Sequence, residues 1–215
     1  MDSSILANRS VRHRLEVGQR HELRDRKFVR DLMRYFSPGA VLELGASTGH
    51  ISAILQQYGR DVTASDTAPK VIPVIESRGL KAALVDATHD IVRQTGQAYA
   101  NIYAQNVLPL IQRDRTQVVT TLRCIHGALE PVGRFICVGA HPWRQRDPDA
   151  FFSPREQIEI AKSTGLFRLI TWFPHQIVPP GWYRQWNASF LNLLDHKLAF
   201  IASTRLVWVL EKIER

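Results

Sequence analysis

The chain has 215 residues, of which 45% are hydrophobic and 22% charged, a balance typical of one globular domain with a large core. Its two cysteines exclude a disulfide-rich scaffold, and no apolar stretch is long enough to span a membrane, so we expect a cytoplasmic protein. The formal net charge of +8 leaves room for an anionic partner.

The first 36 residues form a basic segment. Nine arginines and lysines lie between residues 9 and 34, against four acidic residues, and an apolar stripe predicts a helix over 11–36. The arginines could form a solvated helix face, a lid over an anionic acceptor, or a contact for RNA. We therefore divide the chain into a basic helical segment at 1–36 and a main domain at 37–215. We expect deletion of residues 1–30 to leave a folded protein.

The stretch 40–58 predicts a buried strand, a glycine turn and a helix. An apolar run leads into Glu43-Leu44-Gly45-Ala46-Ser47-Thr48-Gly49, and apolar residues at helical spacing follow it. Such a turn lets the backbone approach a ligand and directs helix N–H groups at it. The carboxylate of Glu43, two positions before the first glycine, suits a cationic amine better than a pyrophosphate.

Strands and helices then alternate, which predicts a parallel sheet with helices on both faces. A second strand at 61–66 ends in Asp66, 21 positions beyond Gly45, where nucleotide-binding α/β folds place an acid for ribose hydroxyls. In the stretch 80–87 a third strand leads to Asp86 at its end, and a fourth strand covers 99–106. A turn at 130–134 precedes a fifth strand, and helices are expected near 70–78 and 114–129.

These motifs, in this order, resemble those of the class I S-adenosylmethionine-dependent methyltransferases. Ser47 stands where the middle glycine of the first motif is usual, and Val132 replaces a glycine of the turn before the fifth strand. The resemblance implies a doubly wound, mostly parallel seven-stranded sheet with an antiparallel closing strand. It implies S-adenosyl-L-methionine as cofactor, with the ribose at Asp66 and the adenine near Asp86. The implied cofactor-binding residues are Glu43, Gly45, Ala46, Ser47, Gly49, Asp66, Thr67, Asp86, Ala87, Gln105 and Asn106.

After residue 139 the pattern changes to loops and aromatic residues. Ser153 is a helix N-cap followed by proline, and this helix should run to Thr164. A strand at 166–173, a loop at 174–186, a helix at 187–202 and a closing strand at 206–210 follow. In the resembled family, insertions near these strands shape the acceptor pocket, which places it at about 141–202.

Histidines in this last third are candidates for a general base, because their pKa lies near working pH. His141 follows the fifth strand and His175 follows the sixth. We predict methyl transfer to oxygen or nitrogen of a small or medium-sized, possibly anionic, metabolite. No histidine pair has metal-ligand spacing, so no metal is expected. The oligomeric state is left open.

Two alternatives remain open at this point. An RNA methyltransferase could use the basic segment, although the chain lacks the motifs of enzymes that methylate exocyclic base amines or cytosine carbon. An NAD(P)-dependent reductase has a similar glycine turn, but no tyrosine here has a lysine four residues later.

Overall fold

The computed structural model describes residues 22–140, 150–175 and 205–214. Its strands are β1 (Val41–Leu44), β2 (Val62–Asp66), β3 (Lys81–Leu84), β4 (Tyr99–Gln105), β5 (Leu129–Ala140), β6 (Phe167–His175) and β7 (Arg205–Lys212). Its α-helices are α1 (22–32), α2 (His50–Gln57), α3 (Ile72–Glu76), α4 (Ile91–Thr95), α5 (Leu108–Ile111), α6 (Arg115–Ala128) and α7 (Pro154–Ser163).

The strands form a single seven-stranded sheet in the order β3-β2-β1-β4-β5-β7-β6. β1 to β5 are parallel, whereas β7 lies antiparallel between β5 and β6. The predicted fold class is therefore confirmed, including the antiparallel closing strand. The described α-helices lie close to the expected ones, except that α4 and α5 were not predicted.

Helices cover both faces of the sheet. On one face, Phe28 and Val29 of α1 and Ile54 and Leu55 of α2 pack in one cluster with Tyr103 of β4. On the other face, α4, α6 and α7 pack against β4, β5 and β7 in a second cluster. The sheet is thus the middle layer of three, and its strand ends carry the loops that face ligands.

Helix α1 is part of this core. Phe28 and Val29 are completely buried, so a deletion that extends to residue 30 would remove two core side chains. The charged residues of α1 pair with one another: Arg26 with Glu22 at 2.8 Å and Lys27 with Asp31 at 3.0 Å. The described part of the basic segment therefore neutralises much of its own charge.

Three sequence-based boundaries were wrong by a few residues. β3 ends at Leu84, so Asp86 lies in the loop beyond the strand rather than at its last position. The expected turn at 130–134 lies inside β5, where Val132 adopts a left-handed φ of 56° and the pairing with β4 is irregular. Pro174 and His175 belong to β6, not to a loop, because they pair with β7.

The helix from Ser153 is confirmed as predicted. The Ser153 side chain accepts a hydrogen bond from the backbone of Glu156, and the Glu156 carboxylate accepts one from Ser153. The predicted loop at 176–186 and helix at 187–202 lie outside the described residues. None of the helices within the described ranges is both long and apolar enough to cross a bilayer.

Candidate active site

A cavity of about 640 Å³ opens at the carboxyl ends of β1 to β4. This edge is where the strand order reverses, between β1 and β4, and open α/β sheets bind ligands at such a point. The lining residues come from the ends of these strands, the segments that follow them and the start of α6: Leu44, Gly45, Ser47, Asp66, Thr67, Val85, Asp86, Ala87, Thr88, Gln105, Asn106, Val107, Leu108, Pro109 and Gln117.

The glycine turn forms one wall of this cavity. Gly45 has a φ of 68° and is exposed, so the backbone is open to a ligand there. Gly49 has a φ of 70° and is the N-cap of α2; a Cβ at this position would lie 2.8 Å from the Leu80 side chain. Ser47 also adopts a left-handed φ, of 55°, and its N–H donates to Asp66 at 2.9 Å.

Asp66 is held in place from two sides. One carboxylate oxygen accepts from Ser47 N and the other from Ala68 N, at 2.9 and 3.0 Å. A carboxylate offers about four lone-pair positions, so these two bonds leave acceptor capacity for a ligand. Since Asp66 lines the cavity together with Thr67, it is suited to hydroxyl donors.

Asp86 lies on the next loop. Its carboxylate accepts from Thr88 N and Oγ1 at 2.9 and 2.7 Å, and these bonds lower its pKa. The Gln94 side chain fixes the Asp86 backbone by bonding both its N–H and its carbonyl. Asp86 is therefore an ionised acceptor in a fixed loop, with Ala87 buried beside it.

The end of β4 closes the opposite wall. Gln105 accepts a hydrogen bond from the Tyr103 hydroxyl at 2.7 Å, and Asn106 has a left-handed φ of 53°. The Asn106 N–H donates to the Val138 carbonyl, which ties this turn to β5. Both residues line the cavity, and their contact with a cofactor stays a prediction.

Glu43 lies behind the turn and is not among the lining residues. Its side chain is buried and accepts a hydrogen bond from Ser52 Oγ in α2. Burial raises the pKa of Glu43 to about 7, and the nearby charge of Asp66 acts in the same direction. Because this pKa lies near neutral pH, a charge placed near Glu43 would shift the balance between its protonated and ionised forms.

Two other predicted cofactor residues shape the turn and are not among the lining residues. The Ala46 N–H donates to the Ser65 carbonyl at 2.7 Å, and its side chain packs with Val71 and Val74. Gly49 fits against Leu80, as described above. Contact of these residues, and of those that line the cavity, with a cofactor stays a prediction.

Of the two candidate bases, the structure describes only His175. His141 lies outside the described residues. His175 is the last residue of β6 and is buried; its Nε2 lies 3.3 Å from Asp31 Oδ2, and its ring packs edge-on against Phe28 at 4.7 Å. His175 does not line the cavity between β1 and β4, and its catalytic role stays a prediction.

Sequence reasoning missed a polar cluster on the α1 side of this edge. Asp25 of α1 is 4% exposed and is surrounded by Arg24, His50 and Arg205. No local motif marks it, since its members come from α1, the start of α2 and the start of β7. Sequence reasoning also missed the segment Val107-Leu108-Pro109, whose only signal is an apolar pair before a proline.

Comparison with known proteins agrees with this geometry. No protein-family model matches the chain. Over 121 residues the chain is 31% identical to the ubiquinone/menaquinone biosynthesis C-methyltransferase UbiE of Rubrivivax gelatinosus. The match covers 55% of this chain and 45% of that protein, so the chain spans less than half the length of this curated relative.

Solved structures extend the similarity over most of the chain. The CcbJ methyltransferase of Streptomyces caelestis superposes with a TM-score of 0.65 at 14% identity, covering 88% of this chain and 90% of that one. The N-methyltransferase NodS of Bradyrhizobium japonicum, solved with S-adenosyl-L-homocysteine, gives 0.63 at 18% identity and covers 88% and 87%. The glycopeptide N-methyltransferase MtfA, also solved with that molecule, gives 0.63 at 13% identity and covers 88% and 89%.

The fold is that of the class I S-adenosylmethionine-dependent methyltransferases, and the resemblance seen in the motifs is confirmed at this level. In sequence, the chain is similar to a member of that class along about half of its length.

Proposed function

We propose that this chain is a methyltransferase that uses S-adenosyl-L-methionine to methylate oxygen or nitrogen of a small or medium-sized metabolite. The observation that carries the proposal is the cavity at the switch point of the sheet, which Gly45, Asp66 and Asp86 line together. Similarity to UbiE and to three methyltransferase structures supports it.

The residues present fit this cofactor. Asp66 retains acceptor capacity for the two ribose hydroxyls, and the Asp86 loop provides an ionised acceptor for the adenine amino group. The exposed backbone at Gly45 allows the methionine part to approach, with Glu43 buried behind the turn. When bound, the sulfonium supplies the reactive methyl group, so the protein need not provide a nucleophile.

The remaining task of the chain is to orient the acceptor and exclude water. Gln105 and Asn106, which line the cavity at the end of β4, would border the transfer region. A hydroxyl acceptor needs a base, whereas a neutral amine does not. His141 and His175 remain our candidates for that base.

The structure favours this function over both alternatives. The described cations of α1 pair with acids of the same helix, which weakens the case for an RNA-binding face. The antiparallel β7 between β5 and β6 differs from the all-parallel order of dinucleotide-binding reductases.

Calorimetry with S-adenosylhomocysteine tests the cofactor, and a tritiated-methyl assay tests the acceptor. We expect heat with S-adenosylhomocysteine and none with NADH or NADPH. In the assay, label should enter a small-molecule fraction of a cell extract. Binding of a nicotinamide cofactor alone would refute the methyltransferase proposal, and label found in RNA but not in small molecules would refute the acceptor class.

A further inference from the structure

Asp25 is the centre of a buried ionic cluster between α1 and the sheet. Arg24 binds it with two donors, Nε to one carboxylate oxygen at 3.0 Å and Nη2 to the other at 3.2 Å. Arg205 donates from Nη2 at 3.4 Å, and His50 Nε2 lies 3.4 Å away on the other side. These contacts hold the pKa of Asp25 near 2 despite the burial that raises it.

The cluster carries more positive than negative charge. Two guanidinium groups share one carboxylate, and the side chain of Arg205 is only 13% exposed. Glu43, a further buried acid on this face of the sheet, is bonded by Ser52 and forms no ion pair with either arginine in the part of the chain that the structure describes. A buried excess charge is costly unless another group compensates it.

Arg205 also has unused bonding capacity. Its Nη1 is buried and has no hydrogen-bond partner among the described residues, and its guanidinium lies 4.9 Å from the centre of the Phe28 ring. An unsatisfied buried donor destabilises the folded state, and a charged donor does so more strongly. A planar guanidinium with one side engaged by Asp25 can present the other to an oxyanion.

The cluster lies at the same edge of the sheet as the proposed cofactor cavity, although its residues are not among those that line it. Arg205 pairs with Ala140 in the strand register, at the carboxyl end of β5. His50 directly follows Gly49 of the glycine turn. Burial and the charge of Glu43 raise the pKa of Tyr103 well above its ordinary value, and the charges of Arg205 and Asp25 also act on it. The Tyr103 hydroxyl donates to Gln105, which lines the cavity.

We infer that Arg205 binds an oxyanion, a carboxylate or phosphate group, on the acceptor molecule. The inference rests on the proposed function, because that function identifies the anion-bearing ligand as the acceptor. Asp25 and Arg24 position the guanidinium, and the anion compensates the excess charge that they leave.

The test measures anion binding to the full chain by calorimetry and by the shift in melting temperature, at constant ionic strength. The probes are benzoate, with neutral benzamide as its isostere, and inorganic phosphate, which separates the two oxyanion classes. Each is titrated with and without S-adenosylhomocysteine. The variants are Arg205→Met, Arg205→Lys and, as matched control, Arg30→Met, because Arg30 is half-exposed on α1.

We expect benzoate or phosphate, but not benzamide, to bind the unaltered protein. Arg205→Met should weaken this binding at least ~10-fold and Arg205→Lys by a smaller factor, because lysine keeps the charge without the planar fork. Arg30→Met should bind like the unaltered protein. All variants should retain S-adenosylhomocysteine binding, since the residues lining the cavity are unchanged.

The inference is overturned if neither anion binds, or if Arg205→Met and Arg205→Lys bind both anions as tightly as the unaltered protein. If Arg205→Met does not fold, Arg205→Lys decides, because it preserves a cation next to Asp25. Failure of S-adenosylhomocysteine to bind would instead refute the proposed function, and the anion titrations without it would still decide the role of Arg205.

Discussion

The two halves of the ligand-facing edge are built in different ways. On the β1–β3 side, the polar groups come from consecutive turns between residues 45 and 88, and the hydrogen bonds that hold them span at most 19 positions. On the α1–β7 side, Asp25 meets Arg205 from 180 positions away. The first half can thus be inferred from local spacing, whereas the second exists only once the chain has folded.

The comparison is tested most strongly at Asp25. Asp25→Ala should lower the free energy of unfolding by about 3–5 kcal/mol, because it leaves two buried arginines without their carboxylate. Glu22→Ala on the same helix should cost no more than about 0.5 kcal/mol, since its pair with Arg26 is exposed. Urea denaturation measures both. Equal effects would mean that the α1 side is no more than a surface charge network.

A second test concerns the glycine turn. Gly49→Ala should lower the free energy of unfolding by about 2–4 kcal/mol. The residue has a left-handed φ, and a Cβ there would lie 2.8 Å from the Leu80 side chain. Gly59→Ala is the matched control, because Gly59 has a similar φ of 80° but no described atom lies within 4 Å of an added Cβ. Its free energy of unfolding should fall by only about 1–2 kcal/mol. A loss at Gly49 no greater than at Gly59 would contradict the packing argument.

A third test uses pH. The pKa of Glu43 is raised from 4.5 to about 7, so the native state keeps its proton while the unfolded state releases it. Stability should therefore fall as pH rises from 4.5 to 7, by up to about 3 kcal/mol. The lowered pKa of Asp25 acts in the opposite direction, but only below pH 4.

Glu43→Gln should remove that part of the pH slope, whereas Glu76→Gln, on the exposed surface of α3, should leave it unchanged. Thermal unfolding at pH 5 and pH 8 measures the difference. S-adenosylhomocysteine, which carries an ammonium group, should oppose the fall by favouring ionised Glu43. An identical slope in the Glu43→Gln variant would show that this carboxyl does not titrate in that range.

The smallest effect is expected on cofactor affinity. Asp66→Ala should weaken S-adenosylhomocysteine binding by ~1–3 kcal/mol through loss of charge-assisted hydrogen bonds. Asp61→Ala, just before β2, is the control, because Asp61 is exposed and pairs with Lys81. Calorimetry compares the two. A similar loss in both variants would place the ribose elsewhere.

The sequence predicted the parallel part of the sheet and eight of the residues that line the cavity, because glycine turns and strand-end acids are local patterns. The hydrogen bond from Ser52 on α2 to Glu43 could not be predicted, because it depends on how the helix packs, and the cofactor contact of Glu43 stays a prediction. The basic segment was expected to be separable from the main domain, with a lid as one of three open roles, whereas the burial of Phe28 and Val29 makes α1 part of the core. Charge counts along a segment do not show which side chains will pair.

The place of β7 between β5 and β6 has a consequence for biosynthesis. During synthesis, β5 and β6 emerge from the ribosome before β7. In the folded sheet, β5 and β6 do not pair with each other, because each is hydrogen-bonded to β7, which lies between them. Until residues 205–212 emerge, β5 has an open edge, which invites pairing with another nascent chain. Since β7 begins with Arg205, the same event that closes the sheet also completes the ionic cluster at Asp25.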